Sequence, residues 1–362
     1  MLSNQTIQAS IDELRSITRI DLCVMDQQGT VAASTMEAMD IPAELVLEFA
    51  ESAADSQAVS GFYLFKVVEA EEVTYIVLAR GGEDAYMVGK IAVSQLRQLM
   101  IAYKAKLDKD NFLQNLILDN LLLVDIYNRA RKLHIPAEAK RAVLLIETVS
   151  DDDAEIMELL KGLFFAYNGD YVTAVEERNV ILIKALGEEE GYPELRNIAE
   201  MIVDMVNSEA MVNVKVSYGT IIHELKDVSK SFKEAKLALD VGRIFYAETD
   251  VIAYHALGIG RLIYQLPENL CRIFIREIFG RDEIPEEIDE EILNTIQKFF
   301  QNNLNISETS RQLFVHRNTL VYRIEKVQKI TGLDMRSFED ALTFNIALMV
   351  VNYLKHLETK NS

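Results

Sequence analysis

The stretch NLNISETSRQLFVHRNTLVYRIEKVQKITGLD, residues 303–334, contains two short helical patterns separated by a turn. Ser307 reads as the N-cap of the first helix, with Ser310 at its third position as a weak capping-box partner. Leu313 falls on the inner face of that helix, and the chain then turns at Phe314–Val315–His316. A second helix starts near Arg317 and runs to about Lys329, with Leu320, Ile324 and Val327 inward at helical spacing. Gly332 follows where a left-handed C-cap is needed. Two short helices in this order form a helix-turn-helix, whose second helix lies in the major groove of DNA. The outer face of that helix presents Arg317, Asn318, Thr319, Tyr322 and Arg323. Arg and Asn read base edges through paired hydrogen bonds, Thr and Tyr position phosphates, and the first-turn amides accept a backbone phosphate. From spacing alone an ordinary packed helix pair fits as well, with Arg317 as a cap or ion-pair partner and His316 as a turn residue.

Charge bears on that choice. The chain has 362 residues, 57 acidic and 37 basic, for a net charge of −20. Spread evenly, such a charge repels nucleic acid, so DNA binding requires a local basic island. Residues 298–329 hold 6 basic and 2 acidic residues. Residues 291–362 carry 9 against 7, a net of +2, while residues 1–290 carry 28 against 50, a net of −22. The island coincides with the helix pair.

Other bounds come from composition. The length implies two or three domains, and 49% apolar residues suffice for large cores. Cys23 and Cys271 form no disulfide framework or thiolate zinc cluster, which favours a cytosolic setting. The start MLSNQTIQASIDELRS lacks the apolar core of a signal peptide. The longest apolar stretches fall short of the ~18 residues of a membrane span. The expected location is cytoplasmic, with no membrane partner.

The run from Ile306 to Ile324, followed by Thr331–Gly332–Leu333–Asp334, resembles the C-terminal helix-turn-helix of the PucR/CdaR family of bacterial transcriptional regulators. That family's pattern is T-A-x-x-L-x-x-H-x-N-T-L-x-Y-R-L before G-L-D. Thr309, Leu313, His316, Asn318, Thr319, Leu320, Tyr322 and Arg323 match it, with Ser310 in place of Ala and Ile324 in place of Leu. Phe338–Glu339–Asp340–Ala341–Leu342 and Ala347–Leu348 fit the family's closing helix. The expected DNA-binding set is Ser307, Thr309, His316, Arg317, Asn318, Thr319, Tyr322 and Arg323. The partner implied is double-stranded operator DNA, bound by a homodimer or higher homo-oligomer, because one recognition helix makes too few contacts for tight specific binding.

Upstream, residues 140–250 read β-α-β-β-α-β followed by a helix, the split βαβ pattern, with one face of the sheet helix-covered. This resembles the GGDEF-related domain that precedes the helix-turn-helix in the family. A working diguanylate cyclase keeps a Gly-Gly-Asp/Glu-Glu-Phe turn, whereas this turn is Glu176–Glu177–Arg178–Asn179, so the domain reads as degenerate. Glu147, Asp151 and Asp152 lie near a strand end, where a metal site or, more simply, a solvated acidic loop fits. The five histidines lack metal-ligand spacing, and Gly81–Gly82 and Gly258–Ile259–Gly260 are not phosphate loops. No catalytic residue, metal or cofactor is expected.

The first hundred residues read as a helix near 4–18, a hairpin over residues 20–33, a helix near 42–56 and an aromatic-rich hairpin over residues 61–79. This unit resembles sensor domains of the PAS or GAF type. Tyr63, Phe65 and Tyr75 are candidates for binding an unidentified small-molecule effector, with a solid packing core as the alternative. From about Lys90 to Leu133 nothing breaks a helix, so the stretch is a connecting helix paired with its copy, two helices bent near Asp108–Asp110, or a packed hairpin.

The fold class expected is α+β multidomain: a PAS/GAF-like sensor over residues 1–105, connecting helices over 106–135, a degenerate GGDEF-like split βαβ domain over 136–260, and an all-helical domain over 261–362 with a PucR-type helix-turn-helix at about 290–356. The function expected is a non-enzymatic, signal-responsive transcriptional regulator. The alternative is a non-catalytic nucleotide-binding signalling or protein-interaction protein.

Overall fold

The computed structural model describes residues 2–37, 42–69, 72–148, 153–164, 169–176 and 179–361. The chain divides into two compact units, Met1–Phe112 and Leu113–Ser362.

The first unit contains α1 (Asn4–Thr18), β1 (Asp21–Asp26), β2 (Val31–Ser34), α2 (Ala43–Glu51), β3 (Ser56–Val59), β4 (Phe62–Glu69), β5 (Glu72–Arg80) and most of α3 (Glu83–Ile117). The strands form an antiparallel sheet in the order β2-β1-β5-β4-β3. Side-chain alternation divides its apolar residues between two cores. Phe65, Val67, Tyr75 and Val77 pack with Ile7 and Ile11 of α1 and Leu96 of α3. Phe62, Leu64, Ile76 and Leu78 pack with Val46 and Phe49 of α2. Gly89 permits this arrangement, since a Cβ there would lie 2.1 Å from the Phe65 ring.

The helix α3 passes unbroken through Asp108–Asp110, where a bend was one expectation. Those residues are charged but compatible with a helix. The break falls at Leu118–Leu122, before α4 (Leu123–Lys132). There Asp119 takes a positive φ of 63°, and the Asn120 amide reaches back to Asn115 O at 2.9 Å.

The second unit continues with β6 (Glu138–Thr148), α5 (Asp153–Phe164), β7 (Tyr171–Glu176), β8 (Asn179–Ala185), α6 (Tyr192–Glu209), β9 (Val214–Tyr218), β10 (Ile222–Glu224), α7 (Val228–Phe245) and β11 (Val251–Ala253). The sheet order is β11-β9-β6-β8-β7, with β10 pairing β6. Only β11–β9 is parallel among the described strand pairs. One face buries Ala142, Leu144 and Ile146 with apolar residues of α5 and α6. The expectation of a single helix-covered face is corrected by α7, which lies against the other. Ser231 Oγ accepts from the Val143 amide at 3.1 Å, and Ser217 Oγ donates to Ala235 O at 2.8 Å. A Cβ on Gly219 would fall 2.0 Å from Ser231 O. The strands carry apolar residues at successive positions because both faces are buried.

The remaining elements are helical: α8 (Gly258–Tyr264), α9 (Glu268–Phe279), α10 (Glu290–Gln301), α11 (Ile306–Gln312), α12 (Arg317–Thr331) and α13 (Phe338–Asn361). They close around Ile275, Ile292, Phe299, Leu320, Ile324 and Phe344. Among the described residues no helix is long and apolar enough to cross a membrane.

Candidate nucleic-acid interface

Each helix of the 290–331 region is fixed at its start by a side-chain cap. Asp289 Oδ1 accepts from the Ile292 amide at 2.9 Å and opens α10. Asn305 Oδ1 accepts from the Glu308 amide at 3.1 Å and opens α11. The expected cap, Ser307, is therefore two residues too late. It is exposed inside the helix, where its carbonyl accepts from Ser310 Oγ at 3.0 Å. Asn is at least as good an N-cap as Ser, and the positive φ at Asn303 and Leu304 delivers Asn305 to that position. His316 opens α12, its Nδ1 accepting from the Asn318 amide at 3.2 Å. Gly332 closes α12 with a φ of 79°, its amide bonding Gln328 O at 2.8 Å.

Between α11 and α12, Phe314 takes a positive φ of 55° and is 97% exposed. Its neighbour Val315 packs on the domain core, and the Val315 amide reaches Ser310 O at 3.0 Å. Leu320, Ile324 and Val327 are buried, as their spacing predicts. Arg317, Asn318, Thr319 and Tyr322 are exposed along the first half of α12. Arg317 has no ion pair among the described residues.

Two residues of the expected set lie elsewhere. Thr309 is buried, with Oγ1 donating to Asn305 O at 2.8 Å and accepting from Asn302 Nδ2 at 3.3 Å. It secures the start of α11 and has no free face for a phosphate. Arg323 does not reach the outer face: its side chain is 13% exposed, donates to Thr295 Oγ1 at 2.8 Å and pairs with Glu291. The guanidinium clamps α12 to α10. Spacing missed this because Arg323 lies between the inner and outer faces, and a partner in α10 decides its direction.

Spacing also passed over Phe314 and Arg311, which border the exposed row. Arg311 bonds Glu308 at 2.7 Å, and this contact with that of Gln312 holds the Glu308 carboxyl below the usual carboxylate range. An apolar residue in a turn ordinarily reads as core. The positive φ of Phe314 turns it outward instead.

In the first unit, Phe65 and Tyr75 are core residues at 3% exposure each. Tyr63 is half-buried and meets Tyr86 edge-on at 5.4 Å between centroids. Of the three, Phe65 borders a polar cleft of about 670 Å³ between β3–β4 and α3, whose rim includes Lys90, Ser94 and Arg97. Lys90 lies over the Tyr86 ring at 4.8 Å, and its contact with the phenol lowers the Tyr86 pKa.

In the GGDEF-like region, Glu147 is engaged by Arg243 of α7, at 3.2 Å from Nε. Asp151 and Asp152, and the turn residues Glu177 and Arg178, lie outside the described residues. Just before β7, Asp170 binds Lys184 at 2.8 Å and accepts from the Ala185 amide at 2.8 Å. Among the described residues no group of His, Cys, Asp and Glu is placed to hold a metal ion.

Comparison with known proteins matches both regions to described families. The family described as the PucR C-terminal helix-turn-helix domain matches residues 292–350, and a GGDEF-like domain family matches residues 120–241. The Purine catabolism regulatory protein of Bacillus subtilis is 29% identical over 171 residues, covering 47% of this chain and 32% of that protein. The Carbohydrate diacid regulator of Escherichia coli is 22% identical over 282 residues, covering 75% of this chain and 73% of that protein. The Proline-responsive transcriptional activator PutR of Bacillus subtilis is 21% identical over 285 residues, covering 74% and 67%. The match therefore spans about a third of the first of these relatives and around two thirds or more of the other two.

Proposed function

Because this chain is a PucR/CdaR-family regulator, with a PucR-type helix-turn-helix at its C-terminal end and a GGDEF-like domain before it, we propose that it is a cytoplasmic transcriptional regulator. It binds operator DNA as a homodimer and responds to a small metabolite. The observation that carries this reading is the exposed row Arg317, Asn318, Thr319 and Tyr322. It lies on a doubly capped helix within a basic stretch of an acidic chain. Asn318 and Arg317 supply base-reading groups, and the first-turn amides supply a phosphate contact.

The first unit, about residues 1–105, is the sensor. Its 2-1-5-4-3 antiparallel sheet with helices on both faces supports a PAS- or GAF-type reading. Three relatives named for purine catabolism, carbohydrate diacids and proline support a metabolite as the signal. The GGDEF-like domain, about residues 136–260, relays without catalysis, since its turn lacks the glycine pair that admits a nucleotide phosphate.

The test is a fluorescence-anisotropy titration of the full chain, at fixed salt, against duplexes from its own gene neighbourhood and random duplex. The double variant Arg317→Ala/Asn318→Ala loses the preference for operator by about 10- to 100-fold, the value of one or two good base contacts. Unchanged preference in that variant overturns the assignment.

A further inference from the structure

The turn between α11 and α12 carries the most exposed large apolar side chain among the described residues, Phe314 at 97%. Its φ of 55° lies in the left-handed region, where a β-carbon is crowded and glycine alone sits without cost. The core gains nothing in return, because Leu313 and Val315 on either side supply the packing. The backbone is held there by its own bonds: the Phe314 amide reaches Arg311 O at 3.3 Å and the Val315 amide reaches Ser310 O at 3.0 Å. A bulky ring in a strained conformation that packs on nothing has no purpose within the fold. What borders the ring says what meets it. Arg317, without an ion pair among the described residues, opens α12 on one side, and Arg311, bonded to Glu308, stands on the other. With the positive N-terminal end of α12 between them, this surface attracts a polyanion in a chain that elsewhere repels one.

We propose that Phe314 reads operator sequence, its ring packing on the C5-methyl of a thymine in the major groove beside the base pairs met by Arg317 and Asn318. This rests on α12 being the recognition helix. The N-terminal residues of such a helix contact base edges. Phe314 stands three positions before Arg317, so the chain places it within ~11 Å of that residue, about three base-pair steps. A phenyl ring has no donor or acceptor. In the major groove it can therefore distinguish base pairs only through the thymine methyl, the one apolar group displayed there. A phosphate offers the ring no favourable contact, and apolar wedges between base steps enter from the minor groove, away from this helix end. Arg317 and Asn318 then read hydrogen-bonding edges while Phe314 reads the methyl.

The test compares the full chain with its Phe314→Gly variant, which removes the ring and relieves the strained φ. The melting temperature should hold or rise, which excludes a structural role for the ring. Preference for operator over random duplex should fall at least about fivefold, the low end of what one base position is worth. The salt slope should stay unchanged, because no phosphate contact is lost. On the DNA side, operator thymines are replaced one at a time by deoxyuridine, which removes only the methyl. At one position in each half-site this should weaken the unsubstituted chain and leave Phe314→Gly indifferent, the signature of a direct pair. Preference that survives Phe314→Gly, an equal loss on operator and random duplex, or a loss that tracks a lowered melting temperature overturns the inference. So does a methyl effect that is absent at every position or persists in the variant. An unsubstituted chain with no operator preference would instead refute the recognition-helix reading itself, so the two failures are distinguishable.

Discussion

On α12 the guanidinium of Arg323 bonds Thr295 Oγ1 at 2.8 Å and pairs with Glu291, whereas Arg317 is exposed. Identical side chains at the two positions therefore have different consequences. Arg323→Ala removes a charge-assisted bond worth about 1.5–3 kcal/mol, so the melting temperature of the DNA-binding domain falls. Its affinity for operator and random duplex should drop together, leaving their ratio unchanged. Arg317→Ala should leave the melting curve in place and lower the ratio. Melting curves and paired anisotropy titrations of the two variants separate the roles, and a ratio lost in Arg323→Ala with stability intact would return that residue to the interface. The residue types of the recognition row were legible in the sequence. The inward turn of Arg323 was not, because its partners Glu291 and Thr295 belong to another helix.

At the scale of elements, the long strands and helices follow from periodicity, whereas β3, β10 and β11 do not. Each has three or four residues, too few for an alternation pattern, and each forms by pairing with a longer strand. Caps were partly legible: Gly332 announced the end of α12, while the start of α11 depended on a backbone turn at Asn303–Leu304 that spacing does not encode. The β7–β8 hairpin carries a further consequence. Asp170 and Lys184 pair with side-chain exposures of 0% and 11%, so the pair is shielded from water. Asp170→Asn keeps an acceptor for the Ala185 amide but removes the carboxylate from the ammonium. The expected loss is about 3 kcal/mol, read as a lower urea midpoint by circular dichroism. An unchanged midpoint would mean that water or another acceptor solvates Lys184 in the variant.

Over the whole molecule, charge is divided between a −22 body and a +2 C-terminal region. Phosphate contacts release counterions, and the acidic body adds repulsion toward any duplex. Binding to random DNA should therefore disappear by about 0.15 M salt while operator binding persists and declines linearly on a log–log plot. Anisotropy titrations across a salt series check this, and equal salt slopes with comparable residual affinity for both duplexes would contradict it. The sequence by itself determined the order of the longer elements, the helix-turn-helix, the missing glycine pair and the segregation of charge. Each is local: a periodicity, a spacing or a count along a few tens of residues. Tertiary structure decided which face of each element is spent. It buried Thr309 and turned Arg323 into a clamp. It packed Phe65 and Tyr75 into a core, covered the second face of the central sheet with α7, and left Phe338 and Leu342 of α13 uncovered. Those outcomes depend on partners distant in the chain, where packing and desolvation outweigh local preference.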